Sequence, residues 1–341
     1  MKKSKCLLCG SLAELRATNY LGYQEPETFN IYHCPSCNTS FSLPKIDTST
    51  IYGLIYQTGS KVPGYDRYWR YKNAIKISPK PLTYLYEAEE TYWGVITVLN
   101  NNIKDRQNTK ILEIGCGMGY LTYSLVQAGY NAVGLDISKA AVDEAINNFG
   151  DHYICADACE YAKQHLSSYD VIIMTEVIEH LDDPLNFLQT AIQMLSTAHE
   201  KGLLILTTPN KTIFTDNVIW NTDLPPVHSW WFSENSIKYI ANKINCEVSF
   251  VNFSGWYKKK PSLVDIAKQQ TALPVFSKTG DLNIVRNGFL LHIIKNNICW
   301  LIPLWLLKIY RKIKFLLNNN LYFCGEKGAF ICAVLKNNIQ V

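Results

Sequence analysis

This 341-residue sequence predicts an open α/β fold built on a parallel sheet. Three observations predict it. Runs of buried-strand type start at about Lys110, Asn131, Tyr153, Asp170 and Leu203, and helical stretches separate them, as successive βαβ units require. The first run breaks into Gly115-Cys-Gly-Met-Gly119 before a helix begins. The next three end on the acidic residues Asp136, Asp157 and Glu176, at the strand ends where an open parallel sheet gathers ligands.

In the first run, Ile111, Leu112 and Ile114 suit a strand covered on both faces, and Glu113 sits inside its end. Gly115, Gly117 and Gly119 allow torsions and a close ligand approach that a Cβ forbids. The spacing Gly-x-Gly-x-Gly lacks the third glycine position of the dinucleotide fingerprint, so a nicotinamide cofactor is not the first reading. A second strand, Asn131 to Ser138, ends at Asp136, where a carboxylate can accept two ribose hydroxyls. A third, Tyr153 to Ala158, brings Asp157 to the same edge; both aspartates also suit helix caps. The fourth, within Tyr169 to Leu181, runs into a helix, and the fifth, Gly202 to Asn210, is stopped by Pro209. A helix over Ile237–Ile244, a strand over Cys246–Phe253 and a last, reversed strand over Gly328–Leu335 complete the sheet.

This ordered series resembles the class I S-adenosylmethionine-dependent methyltransferases over about Thr109 to Gly255. The resemblance implies a Rossmann-like seven-stranded sheet and S-adenosylmethionine as cofactor. It puts Glu113, Gly115, Cys116, Gly117, Gly119 and Glu176 on the methionine and ribose side, and gives Asp136 the ribose hydroxyls. Ile137 and Ala158 would hold adenine between them, and Asp157 would accept its amino group.

Ahead of this core, Cys6-Leu-Leu-Cys9-Gly10 and Cys34-Pro-Ser-Cys37-Asn38 point four thiolates at one ion, with a hairpin near Tyr20–Tyr32 between them. Gly10 and Asn38 tolerate the left-handed torsion expected after the second ligand of each turn. The expectation is a structural zinc with no open coordination position; a redox pair or unligated core cysteines are the other readings. Residues 1–45 are then a zinc ribbon, and 46–105 a helical lid rich in tyrosine and tryptophan, its rings packing on the sheet or facing the cleft. The core occupies 106–255, a helical insertion 256–327, and the last strand 328–341. Within the insertion, Ile298 to Leu307 is apolar and Lys308 to Lys314 is basic. Ten apolar residues are too few to span a bilayer, so 298–314 caps the active site or makes a peripheral contact with anionic lipid.

Glu176-Val-Ile-Glu179-His180 places two carboxylates and an imidazole three and four residues apart, on one face if helical, and His228 follows in Pro225-Pro-Val-His-Ser-Trp-Trp-Phe232. Similar runs occur in ubiquinone-pathway O-methyltransferases and in small-RNA 2′-O-methyltransferases. The resemblance leaves three readings: a second divalent-cation site of Glu176, Glu179, His180 and His228, acid–base or substrate contact by His228 or His180, or a purely structural run. Eleven cysteines without a signal-peptide pattern imply reduced thiols in a cytoplasm, and a net charge of +4 is too mild to argue for nucleic acid. A zinc ribbon joined to this core resembles bacterial methyltransferases of sugar and surface-polysaccharide pathways. The reading is O-methylation of a sugar, glycan or glycolipid hydroxyl, in the cytoplasm or at the inner face of the membrane. C-methylation of a nucleotide sugar and methylation of a quinone or lipid precursor are the alternatives, with RNA modification and a non-catalytic ligand-binding scaffold behind them.

Overall fold

The computed structural model describes residues 3–62, 64–196, 202–213, 223–260, 263–265, 274–283, 321–323 and 325–337. Its first layer is an antiparallel ribbon of β1 (Lys3–Lys5), β2 (Leu12–Leu21), β3 (Thr28–Cys34) and β4 (Thr39–Leu43). The lid follows as α1 (Ser49–Thr58), α2 (Asp66–Ile77), α3 (Pro81–Ala88) and α4 (Glu90–Asn102). Pro81 opens α3 at a first-turn position, where its missing N–H costs nothing.

The central sheet takes β5 (Lys110–Ile114), α5 (Tyr120–Gln127), β6 (Asn131–Asp136), α6 (Lys139–Phe149), β7 (Tyr153–Cys155), α7 (Ala158–Ala162), β8 (Val171–Thr175), α8 (Pro184–Gln193) and β9 (Leu203–Pro209). After these come β10 (Trp230–Trp231), α9 (Glu234–Lys243), β11 (Cys246–Phe250), α10 (Ser254–Lys259), a hairpin of β12 (Leu263–Asp265) with β13 (Leu321–Phe323), and β14 (Phe330–Asn337). The seven strands run β11-β14-β9-β8-β5-β6-β7, with β14 antiparallel to both neighbours. This is the Rossmann-like class I arrangement that the sequence predicts, with the reversed last strand in place.

Period-two alternation sends neighbouring residues to opposite cores. Leu112, Ile172, Met174, Leu204 and Leu206 face one core, while Ile111, Val171, Ile173, Leu203 and Ile205 face the other. The lid, through Tyr92, Trp93, Val95 and Leu99, covers the second face. The ribbon shares the first: Cys34, Phe41 and Tyr32 pack in one cluster with Trp230, Phe232 and Ile237. A capping box of Ser233 and Ser236 starts α9 three residues ahead of the predicted Ile237.

Three expectations are corrected or left aside. The run after β8 is not an α-helix: Glu176 adopts a left-handed φ of 55°, and only Ile178–His180 form a 3-10 turn. A 3-10 turn aligns only residues three apart, and the left-handed torsion at Glu176 breaks the helical face. The sixth strand ends at Phe250 and not Phe253, because Phe253 turns inward as a fully buried side chain ahead of α10. The apolar-basic segment 298–314 lies outside the described residues. Among the described residues no helix is long and apolar enough to cross a membrane.

Where the lid meets β14, Glu90 is buried and accepts the Phe330 N–H at 2.7 Å and the Tyr257 hydroxyl. Burial raises its pKa to about 7, the two hydrogen bonds offsetting part of that rise. A carboxyl raised on folding binds more protons in the native than in the unfolded state, so its contribution is present below about pH 4.5 and lost as pH climbs through about 7. Glu90→Gln is expected to abolish a loss of roughly 2–3 kcal/mol between pH 4 and 8. Thermal melts of both proteins across that range check it, the variant gaining on wild type as pH rises.

Candidate active site

A cavity of about 480 Å³ is lined by the residues that follow β5, β6, β7 and β8 and by the lid. At one end is the glycine turn. Gly117 has φ +49°, and a Cβ built there meets nothing within 4 Å, so its main chain lies open to a ligand. At Gly119 (φ +76°) a Cβ would strike the Tyr153 ring at 2.5 Å, which closes the turn onto β7.

Asp136 lies against this turn, 8% exposed. Its Oδ2 accepts the Gly117 N–H and its Oδ1 the Ser138 N–H, both at 2.8 Å. Burial raises its pKa and the two N–H donors oppose that. Each oxygen keeps a lone pair for a further donor. Ile137 is 72% exposed, and both it and Ala158 line the cavity. Asp157 caps α7, its Oδ1 accepting the N–H groups of Cys159 and Glu160 at 2.8 and 3.0 Å, and it also lines the cavity. Cys116 is buried beneath the turn. Glu113 accepts the Thr122 hydroxyl at 2.5 Å, and burial lifts its pKa to about 8. Exposed main chain beside an oriented carboxylate could hold a ligand that carries hydroxyl donors.

The lining also includes a network that the sequence does not announce. Arg67 of α2 donates to Glu89 at 2.9 Å and pairs with Glu176, and the Tyr68 hydroxyl donates to Glu176 at 3.0 Å. Burial alone would weaken the Arg67 charge, but Glu176, Tyr68 and Glu89 more than restore it. Glu176 is therefore held by the lid, and its carboxylate is not among the donor atoms that converge at Glu179, His180 and His228. Nothing in the aromatic-rich spacing of 46–105 singles out Arg67, because its partner is more than a hundred residues away.

Glu179 is wholly buried and accepts the Thr208 hydroxyl at 3.0 Å. His180 Nδ1 lies 2.7 Å from the Val227 carbonyl oxygen and 3.0 Å from the Tyr52 hydroxyl. A carbonyl only accepts, so Nδ1 carries the proton and Nε2 the lone pair. The His228 ring stands 4.5 Å from that of His180, nearly perpendicular to it. Burial pulls both imidazoles down to about 3, so both are neutral near pH 7. Ligand atoms of Glu179, His180 and His228 lie within 4.8 Å of one another, a grouping that does not include Glu176. The candidate cation set is thus three residues and not four. Asp223, absent from the sequence reading, places Oδ1 3.8 Å from His228 Nδ1 and lines the same cavity.

At the ribbon, the sulfurs of Cys6, Cys9, Cys34 and Cys37 lie within 4.8 Å of one another, with 3.7 Å between Cys6 and Cys37 and 3.5 Å between Cys9 and Cys34. Tetrahedral zinc with Zn–S bonds of ~2.3 Å sets its sulfurs about 3.8 Å apart, so the four thiols fit one ion. Gly10 and Asn38 adopt the expected left-handed φ of 76° and 54°. The ribbon also holds the loop that carries His228. Trp230 pairs with Phe41 and Trp231 with Ser40, making β10 the fifth strand of the ribbon sheet two residues after His228. The Ser42 N–H donates to Ser229 O at 3.1 Å and the Tyr23 N–H to Pro225 O at 2.7 Å.

A family model described as a methyltransferase domain matches residues 94–249. The ubiquinone biosynthesis O-methyltransferase of Parvibaculum lavamentivorans is 29% identical over 154 residues, which cover 44% of this chain and 58% of that protein. The enzyme of the same name from Rickettsia bellii is 28% identical over 142 residues, covering 40% and 53%. The chain spans about half the length of these curated relatives. Among solved structures, the phosphoethanolamine N-methyltransferase 2 of Haemonchus contortus, in complex with S-adenosyl-L-methionine, aligns at 14% identity and TM-score 0.47, over 88% of this chain and 62% of that one.

Proposed function

We propose that this chain, which carries a class I S-adenosylmethionine-dependent methyltransferase domain over residues 94–249, methylates a hydroxyl of a sugar, glycan or glycolipid. The observation that carries the reading is His228, a neutral, buried imidazole on the wall of the cavity that also holds the glycine turn and Asp136. S-adenosylmethionine, when bound, supplies a methyl on a sulfonium, whose C–S bond breaks as the acceptor O–C bond forms. Asp136 and the main chain at Gly117 hold the cofactor, while the lid closes the cavity from water. The acceptor's hydroxyl proton passes to the His228 imidazole as its oxygen takes the methyl. His180, its Nδ1 proton committed to Val227, offers Nε2 as a hydrogen-bond acceptor that orients the substrate. Many groups at the acceptor end, Tyr52, Arg67 and Phe330 among them, lie outside the matched 94–249, which supports an acceptor particular to this chain.

Two finer points belong to the same proposal. Cys6, Cys9, Cys34 and Cys37 bind a structural zinc, supported by the fit of their sulfur spacing. A quinone or lipid precursor is the second acceptor reading, supported by the names of the curated relatives. The alternative to a His228 base is a divalent cation held by Glu179, His180 and His228, which would lower the pKa of the acceptor hydroxyl; the convergence of their donor atoms supports it. Methyl incorporation from labelled cofactor, screened over free sugars, lipid-linked glycans and phenolic precursors, tests the proposal. His228→Ala is expected to cut turnover about a hundredfold or more while leaving cofactor affinity within about threefold. Undiminished turnover in the variant rejects the role of His228. Only the cation reading predicts that a chelator reproduces the loss and that added divalent ion rescues wild type but not the variant.

A further inference from the structure

Among the described residues that line the cavity, Arg67 is the sole lysine or arginine, set against the carboxyls of Glu113, Asp136, Asp157, Glu176 and Asp223. An anionic acceptor would have to be held by this one guanidinium, and its donors are already engaged. Nη1 donates to Glu89 at 2.9 Å, while Nη2 donates to the Tyr68 hydroxyl at 2.9 Å and to Glu176. The Nε–H is closed off from solvent. The Tyr68 and Phe330 rings lie 4.9 and 5.9 Å from the guanidinium carbon. Glu89 is placed for this task and not for a local one. It stands at the N-cap of α4, yet its side chain makes no capping bond there. It reaches instead to α2, where it accepts from Arg67 and from the Tyr71 hydroxyl at 2.9 Å.

We propose that Glu89 is a specificity-determining residue: with Glu176 it cancels the charge of Arg67 and so bars acceptors that bring a phosphate or carboxylate into the cavity, which leaves the hydroxyl of an uncharged sugar residue as the substrate class. The proposal rests on the hydroxyl-transfer reading above. Two carboxyls on one guanidinium leave a cluster with no net positive charge, whether or not burial keeps a proton on Glu176. An anion entering such a cavity loses its water and gains no cation in exchange. The cofactor meets no such barrier, because S-adenosylmethionine carries a sulfonium and an ammonium against a single carboxylate, and its net positive charge suits a wall rich in carboxyls. A diphosphate-linked sugar fits only with its phosphates outside the cavity.

Inorganic phosphate is the probe, titrated by calorimetry into protein saturated with S-adenosylhomocysteine. Wild type and Arg67→Met are expected to bind it equally weakly. Glu89→Gln leaves Arg67 with one carboxyl, and is expected to bind phosphate about tenfold or more tightly than wild type, a gain that adding Arg67→Met removes. Phosphate binding in wild type that Arg67→Met abolishes overturns the proposal, and so does a Glu89→Gln protein that binds no better than wild type. The two comparisons are independent, so one decides if the variant needed for the other does not fold. Wild type that fails to bind S-adenosylhomocysteine at the outset refutes the methyltransferase reading instead, which keeps the two failures apart. In the acceptor screen, neutral glycosides should be methylated about tenfold or more faster than the phosphates or uronates of the same sugars, and equal rates or the reverse order overturn the proposal.

Discussion

Asp136→Ala is expected to reduce affinity for S-adenosylhomocysteine by about a hundred- to a thousandfold. Two hydroxyl donors lose a charged acceptor in a partly buried site, each worth about 1.5–2 kcal/mol, the lower end of the range for hydrogen bonds to charged groups. The same carboxylate takes the N–H groups of Gly117 and Ser138, so its removal also frees the glycine turn from the end of β6. Asp136→Asn should fall between wild type and alanine, because one amide oxygen remains to accept while the amide nitrogen faces an N–H donor. Titration calorimetry measures the three affinities, and equal values for wild type and Asp136→Ala would refute the cofactor assignment.

Loss of the proposed zinc is the other large effect. Purified chain is expected to carry one zinc per molecule, and Cys34→Ser or a strong chelator should cost several kcal/mol, because metal binding in such a ribbon is folding energy. The damage should be uneven. Cofactor affinity depends on β5 and β6, which the ribbon does not pair with, and should change little. The acceptor loop, whose strand β10 hydrogen-bonds to β4, should loosen, and tryptophan emission from Trp230 and Trp231 should report it. Metal analysis that finds no zinc would remove the ribbon assignment.

The central sheet was legible because each strand is a short apolar run that ends at a polar residue, and the positions of Asp136 and Asp157 follow from where those runs stop. The cysteine turns were legible because the ligand spacing is local. What escaped depends on partners far apart in sequence. Arg67 reaches the site through Glu176, and Asp223 is brought near His228 by a loop conformation that local spacing does not dictate. The run from Glu176 to His180 misleads for a different reason: its period suits a helix, and the left-handed torsion at Glu176, which ends β8, carries no sequence mark in a residue other than glycine.

The pairing of Trp230 with Phe41 also sets an order of events during synthesis. The cysteine turns are complete by Cys37, but the fifth strand of their sheet emerges about 190 residues later. At ~5–20 residues per second, the nascent ribbon waits roughly 10–40 s with the outer edge of β4 unpaired. An unpaired edge invites pairing with a wrong strand. Early metal loading would hold the four-stranded piece in shape over that interval, so zinc starvation should lower the yield of soluble chain at the ribosome, before any finished enzyme exists to lose its metal.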